Sequence, residues 1–279
     1  MNKLFLFLES TPQSKAWVLL GVIFSMAFIP LLANLVFEVE AWKGLLENQG
    51  YLLGWGLIVY LLWTALLLFF KRKDSLQWSH LSLQKAEIKK GLIWGCAAYL
   101  IVQAVLWLKL VSSGQSLTLT THFSSFEGFS KAIGIFVFNI IIGAFLEEVL
   151  NRAYLLPQFY LLLKKVVKFK PIALLLALVI TQLAFAVSHL PRDLFRYDVT
   201  SLDALLSTQG NLFWSGIIYA VLYLRTRNIL FVSIFHALAN FQLAVLASDV
   251  SMLLYNSIAF YMMALIWRKP KETLEPAWV

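Results

Sequence analysis

The chain has 279 residues, of which 60% are hydrophobic and only 14% are charged, and its formal net charge is +8. A soluble domain has about 45–50% apolar and about 25% charged residues, so this composition excludes an ordinary soluble protein. The positive charge does not indicate nucleic-acid binding, because the basic residues lie between apolar runs, where membrane proteins place them. The single cysteine, Cys96, excludes an internal disulfide framework and a cysteine zinc cluster.

Continuous apolar runs of about 20 residues follow one another along the chain, as transmembrane helices require. They predict an all-α, polytopic integral membrane protein of about eight transmembrane helices, with residues 1–279 as a single membrane domain. The predicted spans are Ala16–Phe37, Tyr51–Phe70, Gly91–Leu110, Lys131–Leu156, Pro171–His189, Leu206–Leu224, Ile229–Ala247 and Met252–Trp267.

The loops between these spans alternate in charge. Acidic residues follow the first span, at Glu38, Glu40 and Glu47, whereas the second span is followed by the basic run 71–73. Because basic loops face the cytoplasm, this alternation predicts that both termini are cytoplasmic. The compact chain without extensions favours a prokaryotic plasma membrane.

Residues 74–90 connect the second and third predicted spans. Leu76, Leu81, Leu83 and Ile88 alternate there with basic and polar residues. This pattern predicts a short amphipathic helix on the inner membrane surface. A solvated connecting helix would have the same pattern.

Two adjacent carboxylates, Glu147 and Glu148, end the otherwise apolar stretch Ile133–Phe145. An ionised carboxylate near the bilayer centre costs at least about 2.5–3.5 kcal/mol on insertion scales, so such a group needs a partner or a use. On a helix Glu148 and Arg152 share a face, while Glu147 points about 100° away. We therefore expect a structural ion pair between Glu148 and Arg152, with Glu147 facing a cavity.

Further polar side chains occur in two other predicted spans. His189 closes the fifth span, and His236 and Asn240 lie on one face of the seventh. Together with the two carboxylates they supply the groups that activate water and stabilise an oxyanion. An interfacial histidine and an interhelical hydrogen bond are the alternatives for His189 and for the pair His236 and Asn240. Asn139 and Gln182 are expected to act in packing.

Three motifs follow one another on these apolar spans. Residues 147–152 read EEVLNR and fit EExxxR, Phe185 to His189 fits FxxxH, and His236 to Asn240 fits HxxxN. With these motifs the chain resembles the CAAX protease and bacteriocin-processing (CPBP, or Abi) family of intramembrane proteases, which includes the type II CAAX prenyl endopeptidase. The resemblance covers residues 131–247, the expected catalytic core.

The resemblance implies a peptidase that hydrolyses peptide bonds of membrane-associated or lipidated peptides. It implies that Glu147 and Glu148 are catalytic, with Glu147 as the general base that activates water and His189 beside it. His236 and Asn240 would stabilise the tetrahedral oxyanion. The expected partners are a peptide or membrane-protein substrate and the lipid bilayer, without nucleic acid.

A zinc ion is a second way to use these residues. Glu147, His189 and His236 could form a two-histidine, one-carboxylate site. We favour a mechanism without a cofactor, because the amide of Asn240 beside His236 suits an oxyanion hole better than a ligand shell.

Two other functions remain open from sequence. An ion- or proton-coupled transporter would also bury polar groups, but it predicts interrupted spans in matching halves of the chain, and none is visible. A non-catalytic membrane scaffold or immunity factor of the same fold would retain the motifs without the reaction.

The predicted spans leave one conflict of depth. With cytoplasmic termini, Glu147 and His236 fall in the inner half of the membrane, so we expect a cavity that opens towards the cytoplasm. In straight helices, however, Glu147 lies about 15 Å from Pro157, whereas His189 lies about 27 Å from Pro171. These two side chains meet only if the fifth span starts below the inner surface, tilts or breaks.

Overall fold

The computed structural model describes residues 2–35 and 51–268, and every regular element of two or more residues in these ranges is a helix. The α-helices are α1 (Asn2–Glu9), α2 (Ala16–Leu35), α3 (Tyr51–Lys73), α4 (Lys85–Ser112), α5 (Phe126–Leu163), α6 (Lys170–Val187), α7 (Leu202–Thr226), α8 (Ile229–Asn240) and α9 (Met252–Ile266), and a short π-helical element, Arg192–Arg196, follows α6. The all-α prediction is thus confirmed for this part of the chain. The acidic loop after the first predicted span, with Glu38, Glu40 and Glu47, lies outside the described residues.

Among residues 2–35 and 51–268, three helices are long and apolar enough to cross a membrane: α4, α5, and α6 with its continuation to Phe195. Shorter apolar helices include Ile229–Asn240 and Met252–Ile266. These lengths fit an integral membrane protein. The count of eight spans, the side on which the termini lie and the prokaryotic membrane stay predictions.

The predicted surface helix over residues 74–90 is absent. Residues 74–84 form turns and irregular chain, and α4 already begins at Lys85. Ser75 and Ser82 have φ angles of 55° and 57°, in the left-handed region that interrupts a right-handed helix. Leu76 and Leu81 are buried in the protein core. Leu76 and Leu81 therefore pack against the helices, whereas Ile88, in the first turn of α4, is exposed.

The seventh predicted span ends earlier than expected. Helix α8 stops at Asn240, and the apolar residues up to Ala247 leave the helix to pair with the segment before α5. Thr120 N–H donates to the Val245 carbonyl at 3.0 Å, and Ala247 N–H donates to the Thr118 carbonyl at 2.9 Å. An apolar sequence alone did not reveal this end of the helix, because its backbone partners lie far away in sequence.

Helix α5 contains two π-helical segments, Asn139–Ala144 and Val149–Leu155. The sequence predicted that the helix ends before Pro157, but it continues to Leu163. The second π-helical segment ends at Leu155, so Pro157 falls in the first turn of a new α-helical segment. Pro157 lacks an N–H, and it lies just after the π-helical turn, where the hydrogen-bond pattern of the helix changes.

This extension removes the conflict of depth. At 1.5 Å per residue, Glu147 lies about 24 Å before the end of α5, and His189 lies about 28 Å beyond the start of α6. Helices α5 and α6 are joined by the short segment 164–169. The two helices therefore form a hairpin in which both side chains reach the same level.

Helix α1 packs against the closed end of this hairpin. Phe5 and Leu8 are buried in a cluster that includes Leu156 and Ala173. The carboxylate of Glu9 accepts a hydrogen bond from the Tyr160 hydroxyl at 2.9 Å and forms ion pairs with Lys170 at 2.9 Å and Lys164 at 3.6 Å. The N-terminal helix thus connects to both arms of the hairpin.

Replacing Glu9 by Gln is expected to lower the melting temperature at neutral pH. The hydrogen bond from Lys170, then that from Tyr160 and the charge of Lys164, outweigh partial desolvation and lower the pKa of Glu9 below 4.5. A lowered carboxyl pKa adds stability above about pH 4.5, and that stability is lost as the pH falls through the folded-state pKa. Melting temperatures of both proteins in detergent, from pH 7 to pH 3, should therefore converge at acid pH.

Glu127→Gln is the control for this comparison, because Glu127 is exposed and forms no ion pair within the described residues. Its effect on the melting temperature should be smaller. A difference between Glu9→Gln and wild type that persists undiminished at pH 3 would contradict the ion-pair account.

Candidate active site

The two adjacent carboxylates lie in the short α-helical stretch Phe145–Glu148, between the two π-helical segments of α5. π-helical turns are rare and often occur at functional sites. The side chain of Glu148 is fully buried, whereas that of Glu147 is 21% exposed. The two carboxylates therefore have different environments, as the sequence predicted.

Glu148 joins a cation and an imidazole inside the protein. Its Oε2 lies 3.2 Å from Nε of Arg152, which is also fully buried. Its Oε1 accepts a hydrogen bond from Nδ1 of His236 at 2.8 Å. The predicted pair of Glu148 and Arg152 is present, and it extends to the third motif.

Arg152 is held by the two neighbouring helices. Its Nη2 donates to Oε1 of Gln182 in α6 at 3.1 Å and to the carbonyl of Gly216 in α7 at 3.3 Å. Its guanidinium lies 4.4 Å from the centroid of the Phe185 ring. The guanidinium of Arg152 is therefore surrounded by Phe185, Gln182 and the carbonyl of Gly216.

Gly216→Ala is expected to disrupt the hold on Arg152. A Cβ at this position would lie 2.5 Å from Oε1 of Gln182 and 3.3 Å from Nη2 of Arg152. We expect a lower melting temperature and a lower cleavage rate. Gly210→Ala in the same helix is the matched control, because nothing lies within 4 Å of its added Cβ. There alanine should stabilise the helix by about 0.5–1 kcal/mol.

Equal melting temperatures and rates for Gly216→Ala and Gly210→Ala would show that the close approach of α7 to Arg152 is unimportant.

Both site histidines present Nε2 to Glu147. Nδ1 of His189 lies 2.8 Å from the Phe185 carbonyl, so Nδ1 carries a proton and donates it. Nδ1 of His236 donates in the same way to Glu148. The Nε2 atom of each ring lies 3.9 Å from Oε2 of Glu147. Two oriented imidazole nitrogens therefore converge on one carboxylate oxygen.

Aromatic rings fix the planes of these imidazoles. Tyr219 stacks on His236 with 4.5 Å between ring centroids and 22° between planes. Phe185 contacts His189 edge to face at 4.7 Å. The F of the FxxxH motif thus supports both the histidine and Arg152.

Asn240 lies at the exposed end of α8, away from the buried network. Its Nδ2 donates to Oδ1 of Asn139 at 3.4 Å. Among the described residues, no hydrogen bond or ion pair joins Asn240 to Glu147 or His236. The structure therefore brings the other predicted site residues together and places Asn240 beside Asn139.

Sequence reasoning missed the residues that support this site. Gln182 and Asn139 were expected to act in packing, and Gly216 and Tyr219 carried no functional prediction. Gln182 was the strongest signal among them, as an amide in an apolar helix one turn before Phe185. The role of Gly216 depends on the contact between helices and has no signature in the sequence.

The atoms of the three predicted zinc ligands lie somewhat further apart in this structure than the ligand atoms of a bound zinc ion. Zinc bonds of about 2.0–2.1 Å in a tetrahedron place neighbouring ligand atoms about 3.4 Å apart. The distances from Glu147 Oε2 to Nε2 of His189 and His236 are both 3.9 Å. In residues 2–35 and 51–268, no three His, Cys, Asp or Glu side chains are arranged to hold a metal ion.

Comparison with protein families gives a match for the central part of the chain. Residues 129–242 match the family model for type II CAAX prenyl endopeptidase, Rce1-like, and this region includes the three motifs. The match confirms the resemblance that the motifs indicated. No curated protein and no solved structure gives a significant match to the chain.

Proposed function

We propose that the protein is an intramembrane endopeptidase with Glu147 as its general base, because residues 129–242 match the family model for type II CAAX prenyl endopeptidase, Rce1-like. Its substrates are membrane-associated or lipidated peptides and proteins. The observation that carries this proposal is the approach of two Nε2 atoms to Oε2 of Glu147, each at 3.9 Å.

A water molecule is the expected nucleophile. The separation of 3.9 Å is too long for a direct hydrogen bond but suits a water that contacts Glu147 and a histidine, each at about 2.8 Å. Glu147 takes one proton from this water, and the hydroxide attacks the peptide carbonyl. His189, with its proton fixed on Nδ1, accepts a hydrogen bond from the water at Nε2.

The oxyanion that forms requires donors. A protonated His236 donates from Nε2, while its Nδ1–H remains bonded to Glu148. The buried carboxylate stabilises the imidazolium and orients it, as the acid of a catalytic triad does. The amide of Asn240 supplies a second donor. Glu147 then transfers its proton to the leaving amine, which completes the hydrolysis.

Cleavage by the purified protein tests this proposal. Wild type and Glu147→Gln are incubated in one detergent with a panel of prenylated and unprenylated peptides, with and without a chelator. We expect cleavage by wild type, loss of cleavage in the variant, and no effect of the chelator. Glu127→Gln is the control, because it makes the same change on the same helix outside the site.

Other outcomes are equally informative. Loss of wild-type cleavage on chelation, restored by zinc, would replace the metal-free mechanism by a metal site at Glu147, His189 and His236. If folded wild type cleaves no peptide in the panel, that result would favour the alternative function, a non-catalytic membrane scaffold. The comparison of prenylated with unprenylated peptides identifies the substrate class.

A further inference from the structure

Asn139 and Asn240 form an amide pair between α5 and α8 that no motif predicts. Oδ1 of Asn139 accepts from Nδ2 of Asn240 at 3.4 Å. Nearer the centre of the same two helices, Glu148 accepts from His236. From Asn139 to Glu148 along α5, the partner on α8 changes from Asn240 back to His236. The two helices therefore run antiparallel. The amide pair is therefore the more exposed of two contacts between these helices, and the other contact belongs to the candidate active site.

The position of the amide pair relates it to the proposed oxyanion. Asn240 follows His236 by one helical turn, about 6 Å along α8, on the same face. Asn240 is exposed, whereas His236 is only 4% exposed. A peptide carbonyl entering from this end can thus meet both side chains.

In this structure the contact with Asn139 favours one of the two orientations of the Asn240 amide. A carboxamide has an NH₂ group with two donors and an oxygen that only accepts, and the two ends have nearly the same shape. Oδ1 of Asn139 can accept only from the NH₂ end. One N–H of Asn240 is then used by Asn139, and the other is available for an oxyanion. Without this acceptor, the Asn240 oxygen could face the substrate and repel the developing negative charge.

A glycine leaves the space that Asn139 occupies. A Cβ at Gly143, one turn later on α5, would lie 2.8 Å from Oδ1 of Asn139. The nearest obstacle to that Cβ is the end of a flexible side chain, so alanine there would displace the Asn139 oxygen. Gly134 on the same helix has nothing within 4 Å of an added Cβ.

We propose that Asn139 is a positioning residue that orients the Asn240 amide towards the oxyanion, and that Gly143 makes room for it. This inference rests on the proposed function, because it assumes that Asn240 acts on the tetrahedral intermediate. It assigns to Asn139 a role in turnover and not in packing alone.

A double-mutant cycle tests the inference. The full-length protein in detergent is assayed as wild type, Asn139→Leu, Asn240→Ala and the double variant, with a peptide that wild type cleaves. Loss of one oxyanion donor lowers kcat by about 10²–10³-fold, so we expect that loss for Asn240→Ala. Asn139→Leu should lower kcat by about tenfold with KM unchanged, since the contact acts in the transition state. In the Asn240→Ala background, Asn139→Leu should have no further effect.

Gly143→Ala repeats the test without removing a polar group. It should lower kcat like Asn139→Leu, again with no further effect in the Asn240→Ala background. Gly134→Ala should leave kcat unchanged. Melting temperatures of all variants separate loss of folding from loss of orientation.

Multiplicative effects of Asn139→Leu and Asn240→Ala, or full activity of Asn139→Leu, would overturn the inference. Full activity of Asn240→Ala beside an inactive Glu147→Gln would also overturn it and leave the proposed protease standing. If folded wild type cleaved none of the peptides, both the proposed protease function and the inference about Asn139 would be contradicted.

Discussion

Arg152→Met is expected to lower the free energy of unfolding by about 3–5 kcal/mol, because it leaves the buried Glu148 carboxylate without its cation. Both side chains are fully buried, and Nε lies 3.2 Å from Oε2. Methionine keeps apolar contact with Phe185 but removes the hydrogen bonds to Gln182 and Gly216. Chemical denaturation in detergent measures the difference. Arg72→Met is the control, since Arg72 is exposed and should change stability little.

The double variant Glu148→Gln with Arg152→Met separates stability from catalysis. Replacing both charges of a buried pair is often neutral, so most of the lost stability should return. Cleavage should stay low, because His236 no longer has a carboxylate to stabilise its imidazolium. Full stability of Arg152→Met alone would show that the pair does not stabilise the fold.

His236→Leu and His189→Leu are each expected to lower kcat by at least about 10²–10³-fold. The two variants should differ in their effect on the stability of the fold. His236 supplies the donor to Oε1 of the buried Glu148. Its loss should therefore lower the free energy of unfolding by about 1–3 kcal/mol. His189 bonds the carbonyl of Phe185 within its own segment, and its side chain is 13% exposed. Its variant should therefore keep nearly the wild-type stability.

Measuring kcat, KM and denaturation for this pair of variants tests the division of roles. Equal losses of stability in both would contradict the view that His236 belongs to the buried charge network and His189 to its edge. Retained cleavage by either variant would remove that histidine from the proposed mechanism.

Local spacing predicted the parts of the site that lie within one helix. Glu148 and Arg152 are four residues apart in sequence, so their shared face followed from helix geometry alone. The difference in exposure between Glu147 and Glu148 followed from the same geometry. The convergence of His189 and His236 on Glu147 came from the motif resemblance, because spacing along the chain does not fix which helices are neighbours.

The features that the sequence did not predict depend on contacts between segments that are distant in the chain. The continuation of α5 past Pro157 accompanies the π-helical segment that ends at Leu155. The end of α8 at Asn240 required backbone partners at Thr118 and Thr120. Gly216 and Tyr219 acquire their importance from what faces them. Tertiary packing decides these features, and a single sequence does not encode them in any local pattern.

Two π-helical segments lie on either side of Glu147 and Glu148. A π-helical turn holds about one residue more than an α-helical turn. Loss of one residue from such a turn can therefore be absorbed by a return to α-helix, whereas the same loss in regular α-helix rotates one end against the other by about 100°. After a single deletion in the segment Asn139–Ala144, the carboxylates would still face the histidines. Across evolution, single-residue deletions should therefore be tolerated better in residues 139–144 than in the α-helical parts of α5.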